Sequence, residues 1–369
     1  MRRLVVLALL VAGCATLVPL DPATLARIEP HLGQLLLVGF DGTDAENPEL
    51  DALICEVRAG GLLLFGRNVV DAAQVRRLTA SVRARAAACG AIAPLVAMDA
   101  EGGRVMRLSP RAGYAPTLSA RDLAAANDLA LTELEARRIG RMLREAGVAF
   151  NLAPVVDVGY NPANAFVVGQ GRSYGANPLV VTAHARAFIR GLHAEGVLSA
   201  LKHFPGHGSS FGDSHEGFVD VTSTADPDVE LVPYRVLFAE RVADAVMTAH
   251  VFNSRLDRRH PATLSRATIA GLLRRELGWQ GPVVSDDLRM RAITQHYELG
   301  EAAVLALEAG VDILLIGDDA LPDGRSAAVV ARAAIRAALA EGRLGPERVV
   351  EALSRVTSLK RRASSSAAQ

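Results

Sequence analysis

Eight short apolar runs, separated by segments of helical periodicity, constrain the fold of this chain more than any other feature. The runs span residues 34–40, 60–66, 94–103, 148–158, 198–204, 245–251, 282–288 and 312–318. Near-continuous hydrophobic segments of this kind are typical of a parallel sheet that is covered on both faces. Helical patterns such as 129–147 and 301–310 lie between them, and glycine follows several of these patterns as a helix cap should. We therefore predict a single-domain α/β fold, a (β/α)8 TIM barrel over residues 30–360.

A doubly wound open sheet is the alternative arrangement of alternating strands and helices. The GxGxxG turn that would favour such a sheet is missing after the first apolar run. The barrel is therefore the preferred prediction.

Polar side chains collect at one end of these runs. The third run ends in Asp99 and Glu101, and later runs end in Asp157, Lys202, His203, His250, Asp286 and Asp287. In a (β/α)8 barrel the active site lies where the strands end and the loops begin. A role in core stability alone would not place charged residues at the same end of successive runs. We therefore expect these side chains to form the functional site.

The overall composition excludes a nucleic-acid-binding surface as the main function. The 369 residues include 40 basic and 40 acidic side chains, and only 4% of the residues are aromatic. A balanced charge offers no electrostatic footprint for a phosphate backbone, and few rings are available to stack on bases. We expect a monomer without a nucleic-acid partner.

The first residues, MRRLVVLALLVAGCATL, resemble an export signal. Two arginines precede the apolar run Leu4–Val11, which is too short to span a membrane because a spanning helix needs about 20 apolar residues. The ending Val11-Ala12-Gly13-Cys14 resembles the bacterial lipobox, whose cysteine is lipidated and becomes the mature N-terminus. A plain secretory signal and a retained anchor helix are the alternatives.

The two ends of the chain set the remaining boundaries. We predict a signal peptide at residues 1–13 and a lipidated N-terminus and tether at residues 14–29. The protein would be lipid-anchored in the bacterial envelope and face the periplasm, and Ala15 after the cysteine, which is not acidic, favours the outer membrane. At the other end, residues 361–369 (RRASSSAAQ) are small and polar, so we predict a disordered tail.

Cys55 and Cys89 remain in the predicted mature chain, and two states are open for them. In an oxidising compartment they could form a disulfide. The sequence does not give the Cα separation that a bridge requires, so two free thiols are an equal alternative.

The histidine loop, KHFPGHGSSFGDSH at residues 202–215, concentrates titratable side chains on backbone that cannot be helical. His203 and His207 have the spacing of helical zinc ligands, but Phe204-Pro205-Gly206 between them excludes the helical turn on which that spacing depends. A phosphate loop lacks its GxxxxGK[ST] pattern, and a Schiff base at Lys202 would need a desolvated amine, which this polar neighbourhood does not favour. We therefore expect neither a metal nor another cofactor.

An acid/base role fits the end of the histidine loop. Asp213 and His215 flank Ser214, so in extended backbone their side chains would project to the same side. A carboxylate beside an imidazole favours the protonated ring and fixes its tautomer, so the histidine can donate and retake a proton near neutral pH. The alternative is a capped turn in which Asp213 only accepts hydrogen bonds from backbone amides.

Together these segments resemble glycoside hydrolase family 3, specifically the bacterial β-N-acetylhexosaminidases with a catalytic histidine. The resemblance extends from about residue 30 to 320 and rests on KHFPGHG (202–208), DSH (213–215), MTAHV (247–251), PATLS (261–265), SDDL (285–288) and AGVDILL (309–315). These motifs occur in the family's order. The chain departs from the family pattern at Ala100 and Met106, where glutamine is usual.

The resemblance implies a role for each matched residue. Asp286 is the expected nucleophile, with Asp287 as the weaker candidate, while His215 is the expected acid/base and Asp213 its partner. The family's sugar-binding positions are matched by Asp99, Arg107, Arg172, Lys202 and His203.

The implied activity is that of a retaining exo-β-N-acetylhexosaminidase. Such an enzyme would remove terminal β-linked N-acetylglucosamine from envelope glycans, such as peptidoglycan fragments, through a covalent glycosyl-enzyme. A family 3 β-glucosidase and a β-N-acetylglucosaminide phosphorylase are the enzymatic alternatives, because a histidine acid/base would not repel an incoming phosphate as a carboxylate would. A non-catalytic sugar-binding lipoprotein is the alternative from another class, although binding alone needs no nucleophile.

Overall fold

A computed structural model describes residues 19–44 and 46–366 of the chain. The predicted signal peptide and the lipidation site Cys14 lie outside these residues, as does the end of the predicted tail, residues 367–369. None of the helices in the described part is both long enough and apolar enough to cross a membrane.

Eight parallel strands form a closed barrel, which confirms the predicted fold class. They are β1 Leu36–Gly39, β2 Gly61–Leu64, β3 Leu95–Met98, β4 Phe150–Asn151, β5 Leu198–Phe204, β6 Ala245–Thr248, β7 Val283–Val284 and β8 Leu314–Ile316. Strands β1 to β7 lie side by side in chain order, each paired with its neighbours, and β8 pairs with β1. A parallel bridge between Val284 and Ile313 joins β7 to β8 and closes the ring. The open doubly wound sheet is thereby excluded.

Helices cover the outside of the barrel. In chain order they are α1 Pro22–Ile28, α2 Pro48–Asp51, α3 Ala72–Ala88, α4 Ala120–Ala126, α5 Leu129–Glu145, α6 Pro178–His193, α7 Pro227–Glu230, α8 Val232–Ala239, α9 Arg291–Thr294, α10 Leu299–Ala309, α11 Ala327–Ala340 and α12 Pro346–Ser366. Short 3-10 segments span Glu29–Leu35, Gly66–Asn68, Pro110–Ala112 and Ala262–Leu264, and π-helical segments span Ala52–Val57 and Ala267–Glu276. Side chains that accept a hydrogen bond from the first turn fix several helix starts, as Asp71 does for α3 and Ser326 for α11.

The N-terminal end of the barrel is closed by the last helix, α12. Leu37 and Phe150, which point into the barrel, belong to the same buried cluster as Val356, Leu359 and Ala363 of this helix. The hydrophobic interior is therefore covered at this end and opens only toward the carboxyl ends of the strands.

Three arginines hold α12 in place. Arg348, Arg355 and Arg362 recur every seven residues, so they lie on one face of the helix. Arg348 and Arg355 pair with the buried Asp312, and Arg362 pairs with the buried Asp244. These aspartates lie at the beginnings of β8 and β6, so the arginine row ties the helix to the barrel.

The prediction of a disordered tail from residue 361 is wrong as far as residue 366. These residues continue α12, and Ala363 is buried beneath the barrel. The ion pair between Arg362 and Asp244 joins residues that are 118 positions apart. The prediction used only the local pattern of small polar side chains. That pattern gives no information about the distant partner Asp244, which holds this end of the helix on the barrel.

A disulfide joins Cys55 to Cys89, so the free-thiol alternative is wrong. The two Cα atoms are 5.8 Å apart, within the range that a bridge requires. The bond links the π-helical segment Ala52–Val57 to the cap residue of α3, and it closes a loop that contains β2. Disulfides are typical of proteins in oxidising compartments.

Two small strand pairs lie beyond the carboxyl ends of the barrel strands. Ala100–Gly102 pairs antiparallel with Val105–Met106, directly after β3. Val219–Asp220, just after the histidine loop, pairs in parallel with Val251–Phe252. Both pairs restrain segments that carry predicted site residues.

Candidate active site

A pocket of about 430 Å³ opens at the carboxyl ends of the barrel strands. Apolar residues from the strands and their ends line its lower part, among them Leu63, Leu152, Met247 and Leu315. Its polar lining contains every residue that the sequence predicts for catalysis or sugar binding: Asp99, Arg107, Arg172, Lys202, His203, Asp213, His215 and Asp286. A pocket of this size suits a small ligand.

Lys202 is buried at the centre of the sugar-binding set. Its Nζ donates to Asp99 Oδ1 at 2.7 Å and lies 2.6 Å from Glu101 Oε1. Burial lowers the pKa of Lys202, but the two carboxylates outweigh burial and raise this pKa above its ordinary value. The amine therefore stays protonated at neutral pH, which argues against the Schiff-base alternative and favours hydrogen bonding to hydroxyls.

Arg172 is fixed by a bidentate ion pair with Glu101. Two guanidinium nitrogens donate to the two Glu101 oxygens at 2.8 and 2.7 Å, and both side chains are buried. Burial raises the pKa of Glu101, but Arg172 and Lys202 outweigh burial and hold it well below its usual range. Arg107 lies at the rim, with a terminal nitrogen 3.5 Å from Asp99 Oδ2. Cations and carboxylates thus alternate around one wall, which lets hydroxyl groups both donate and accept there.

Asp157, which follows β4, holds the start of the histidine loop. Its Oδ2 accepts from His203 Nδ1 at 2.6 Å, and its Oδ1 accepts from the backbone N–H groups of His203 and His207 at 3.2 and 2.8 Å. Burial raises the pKa of Asp157, but the two histidines outweigh burial and lower it. With Nδ1 bound to Asp157, His203 Nε2 can accept from Arg172, 3.4 Å away. Asp157 therefore orients His203 toward the sugar-binding set.

His207 has a structural role within the histidine loop. Its Nδ1 lies 2.8 Å from Ser210 Oγ and its Nε2 lies 3.3 Å from Ser214 Oγ. Burial lowers the pKa of His207 to about 4, so the ring is neutral at physiological pH. Both ring nitrogens are used in the loop. Across residues 19–44 and 46–366, no group of three or more His, Cys, Asp or Glu side chains is placed to hold a metal ion.

Asp213 and His215 form a hydrogen-bonded dyad at the pocket wall. Asp213 Oδ1 accepts from the backbone N–H of His215 at 2.9 Å and from the ring Nδ1 at 2.8 Å. The backbone from 214 to 216 is a turn, so the prediction of an extended segment is wrong, although the two side chains do meet. Asp213 caps the turn and orients the imidazole at the same time. This geometry leaves His215 Nε2 available to exchange a proton with a ligand.

Asp286 follows β7 and has an ionised carboxylate. Burial raises the pKa of Asp286, but His250, His203 and His215 outweigh burial and lower it. Its backbone N–H donates to Thr248 Oγ1 at 3.3 Å, which links the residue to β6. An ionised carboxylate in a pocket wall can attack an electrophilic carbon.

Asp287 also lines the pocket, but its carboxylate is engaged by backbone. Its Oδ1 accepts from the N–H groups of Arg289 and Gly317 at 2.9 and 2.8 Å. Burial raises the pKa of Asp287 to about 6. Asp286 is therefore the better placed of the two to act as an anion.

The sequence predicts that Glu101 and Asp157 lie at the functional site but assigns neither of them an individual role, and it does not indicate Phe166 at all. Their position at the ends of predicted strands is the sequence feature that indicates Glu101 and Asp157. Phe166 lies in the loop after β4, where nothing in the surrounding sequence marks it. Phe166 lines the pocket, and the residue is 9% exposed.

Comparison with known sequences agrees with the family resemblance of the sequence motifs. Residues 27–359 match the family model described as Glycosyl hydrolase family 3 N terminal domain. The chain is 40% identical over 309 residues to Beta-hexosaminidase LpqI of Mycobacterium tuberculosis, a match that covers 80% of this chain and 75% of that protein. It is 36% identical over 286 residues to Beta-hexosaminidase A of Pseudoalteromonas piscicida, a match that covers 73% of this chain but 47% of that protein. The chain thus spans about half the length of the second relative.

Solved structures show the same architecture. A glycoside hydrolase family 3 β-N-acetylglucosaminidase from Paenibacillus sp. superposes with a TM-score of 0.86 at 38% identity, covering 91% of this chain and 62% of that one. A β-N-acetylhexosaminidase from Beutenbergia cavernae superposes with a TM-score of 0.79 at 34% identity, covering 90% of this chain and 98% of that one. The described residues therefore correspond to nearly the whole of the second structure.

Proposed function

The chain belongs to glycosyl hydrolase family 3, and from that premise we propose that it is an exo-acting β-N-acetylhexosaminidase. One observation supports this above all: the pocket holds an ionised carboxylate, Asp286, and a carboxylate-oriented histidine, His215, beside a wall of hydroxyl-binding side chains. The relatives are named β-hexosaminidases, and the similar structures are of a β-N-acetylglucosaminidase and a β-N-acetylhexosaminidase. A terminal β-linked N-acetylglucosamine is the sugar that we expect in the pocket.

The first chemical step forms a covalent glycosyl-enzyme. The Asp286 carboxylate attacks the anomeric carbon, and the bond from that carbon to the leaving oxygen breaks. His215 gives its Nε2 proton to the leaving oxygen, which departs as an alcohol. The negative charge of Asp213 stabilises the imidazolium before this transfer and holds the ring in the required tautomer.

The second step hydrolyses that intermediate with overall retention of configuration. His215, now neutral, takes a proton from water at Nε2 while the water oxygen attacks the anomeric carbon. The bond to Asp286 breaks, and the carboxylate is restored. We expect Asp99, Arg107, Arg172, Lys202 and His203 to hold the sugar throughout, on the wall where Arg107, Lys202 and Arg172 alternate with the carboxylates of Asp99 and Glu101.

We place this activity in the bacterial envelope. Cys14 would carry the lipid anchor, and the glycans would include peptidoglycan fragments. The tether predicted at residues 14–29 would be shorter, because Pro22–Ile28 form helix α1 and Ile28 is buried in the core. The Cys55–Cys89 disulfide supports export, because such bonds persist in oxidising compartments and are rare in the cytosol.

The decisive experiment compares 4-nitrophenyl N-acetyl-β-glucosaminide with the matching glucoside, each with and without inorganic phosphate. We expect a higher kcat/KM for the N-acetyl substrate, free sugar as product and no dependence on phosphate. A preference for the glucoside would identify a β-glucosidase instead. Release of sugar 1-phosphate would identify a phosphorylase, and binding without turnover would identify a sugar-binding lipoprotein. Asp286→Asn serves as the inactive control.

A further inference from the structure

Phe166 contacts both the dyad and the sugar-binding set. The centre of its ring lies 5.0 Å from the centre of the His215 ring and 5.3 Å from that of the His207 ring. The guanidinium carbon of Arg172 lies over the same ring, 4.3 Å from its centre. One phenyl ring therefore lies against the proposed acid/base and against a buried cation at the same time.

The loop that carries Phe166 is attached to the histidine loop by other side chains. Asn164 Nδ2 donates to the carbonyl of His207 at 2.8 Å. Asn161 Nδ2 donates to the carbonyl of Ser209 at 3.0 Å. Because these bonds do not involve the phenyl ring, a change at Phe166 leaves the connection between the two loops in place.

The ring of His215 has few restraints. Its side chain is 57% exposed, and its described contacts are the hydrogen bond to Asp213 and the ring contact with Phe166. Asp213 holds one nitrogen but does not by itself stop the imidazole from tilting out of the pocket. The phenyl ring packs against the imidazole with the two ring planes at 55°, so it stands where it can limit such a tilt.

We propose that Phe166 is a positioning residue for the acid/base, and that its ring supports the protonated imidazole of His215 by a cation–π contact. The inference rests on the proposed function, in which His215 must be protonated when the substrate binds. The face of a benzene ring carries partial negative charge and attracts cations. Arg172 is held by Glu101 and packs on the ring, so it also restrains the ring that supports His215.

A residue that only fills space would behave differently from one that positions the acid. Loss of packing lowers the rate for every substrate in the same proportion. Loss of support for the acid matters most when the leaving group needs protonation. The dependence on the leaving group therefore separates the two roles.

The test uses Phe166→Leu, which removes the ring and keeps an apolar side chain, and Phe166→Tyr, which keeps the ring. Each variant is assayed with 4-nitrophenyl N-acetyl-β-glucosaminide and with methyl N-acetyl-β-glucosaminide, whose leaving group is poor. For Phe166→Leu we expect the loss of kcat/KM on the methyl substrate to exceed the loss on the nitrophenyl substrate about two- to five-fold, the size of an exposed cation–π contact. Phe166→Tyr should keep the wild-type ratio.

An equal loss on both substrates for Phe166→Leu would overturn the inference, because it is the result of simple packing. If that variant does not fold, Phe166→Met removes the ring with a more flexible side chain and is judged by the same ratio. His215→Ala is measured alongside. If His215→Ala shows the leaving-group dependence and Phe166→Leu does not, this inference is wrong while the proposed function stands. If wild type hydrolyses neither substrate, the proposed function fails and this inference fails with it.

Discussion

A single oxygen of Asp213 accepts two hydrogen bonds from His215, one from its backbone N–H at 2.9 Å and one from its ring Nδ1 at 2.8 Å. The turn and the orientation of the imidazole therefore depend on the same carboxylate. Capping a turn requires only an oxygen that accepts, whereas stabilising an imidazolium requires negative charge. Substitutions at this pair can separate the two contributions.

His215→Ala should impair hydrolysis of substrates with poor leaving groups by about a hundred- to ten-thousand-fold, the usual worth of general acid/base help. In this variant the first step should be less impaired for nitrophenyl substrates than for substrates with poor leaving groups, because nitrophenolate leaves with little protonation. The second step stays slow, so a burst of nitrophenol should precede a slow steady state. Added azide should speed the second step, because it attacks the intermediate without the help of a base. Stopped-flow absorbance measures the burst. A uniform loss on all leaving groups would contradict the acid/base role.

Asp213→Asn separates capping from charge. The amide oxygen can still accept from the backbone N–H of His215, so thermal stability should stay close to that of wild type. Activity should fall and its pH profile should shift, because a neutral amide stabilises the imidazolium less than a carboxylate does. Thermal denaturation and kcat/KM across pH provide the measurements. A lower Tm with an unchanged pH profile would show that Asp213 only caps the turn.

Asp286 should be labelled covalently by the 5-fluoro glycosyl fluoride of N-acetylglucosamine, which keeps the acetamido group at C2. The fluorine at C5 slows both steps, the good fluoride leaving group restores the first, and the intermediate therefore accumulates. Peptide mass spectrometry identifies the labelled residue. Asp287 should remain free, because its carboxylate is bound by backbone amides and its pKa is raised to about 6 by burial. Asp286→Ala should fold and show no turnover. Label on Asp287 would reverse the assignment.

Glu230 should make stability depend on pH. It is buried against Gly206 of the histidine loop, and burial, with Asp157 nearby, raises the pKa of Glu230 from 4.5 to about 7. The unfolded chain loses this proton first, so the stabilising contribution of Glu230 is complete below pH 4.5 and is lost as the pH rises to 7. The free energy of unfolding of wild type should thus fall relative to Glu230→Gln by up to about 3 kcal/mol over this range.

Urea denaturation at several pH values tests this expectation, and Glu216→Gln, at an exposed position directly after the histidine loop, is the control. The difference between wild type and Glu230→Gln should become constant above about pH 8, where Glu230 is ionised in both the folded and the unfolded chain. A difference that does not change between pH 4.5 and 7 would show that Glu230 is ionised in the folded protein.

Replacing Cys55 and Cys89 with serine should lower the free energy of unfolding. The bridge spans 34 positions, and closing a loop of that length is worth about 3–4 kcal/mol in the chain-entropy treatment. Equilibrium urea denaturation gives the value. Wild type treated with dithiothreitol should match the double variant, whereas no response to reductant would show that the thiols are free in solution.

Cys14→Ser should change how the protein partitions between detergent and water. Several acyl chains on Cys14 would anchor the wild type stably, whereas a single chain binds membranes only marginally. Phase separation of membrane fractions measures the difference. Identical partitioning of wild type and variant would contradict lipidation at this residue.

The barrel and most of the site were predictable because both depend on local patterns. Buried parallel strands require continuous apolar runs, and the polar residues that follow such strands must gather at one end of a barrel. The backbone of the dyad stayed open at the level of sequence, because an extended segment and a turn capped by Asp213 are both compatible with the local residues. The turn is held by Asp213 and also by a distant hydrogen bond from Ala292 N–H to the Ser214 carbonyl, which exists only in the fold. Phe166 was missed for a similar reason, since its ring neighbours Arg172 and His215 become neighbours only in the fold.

The position of α12 has a consequence for how the protein can be made. A chain that ended at residue 345 would lack Val356 and Leu359, so the apolar interior of the barrel would stay open at its N-terminal end. Arg362 pairs with Asp244 across 118 positions, so this contact cannot form until residue 362 has been synthesised. Growing chains must therefore hold a nearly complete barrel with exposed apolar surface, a state that attracts chaperones and aggregates readily. The native barrel is therefore complete only once α12 has been made.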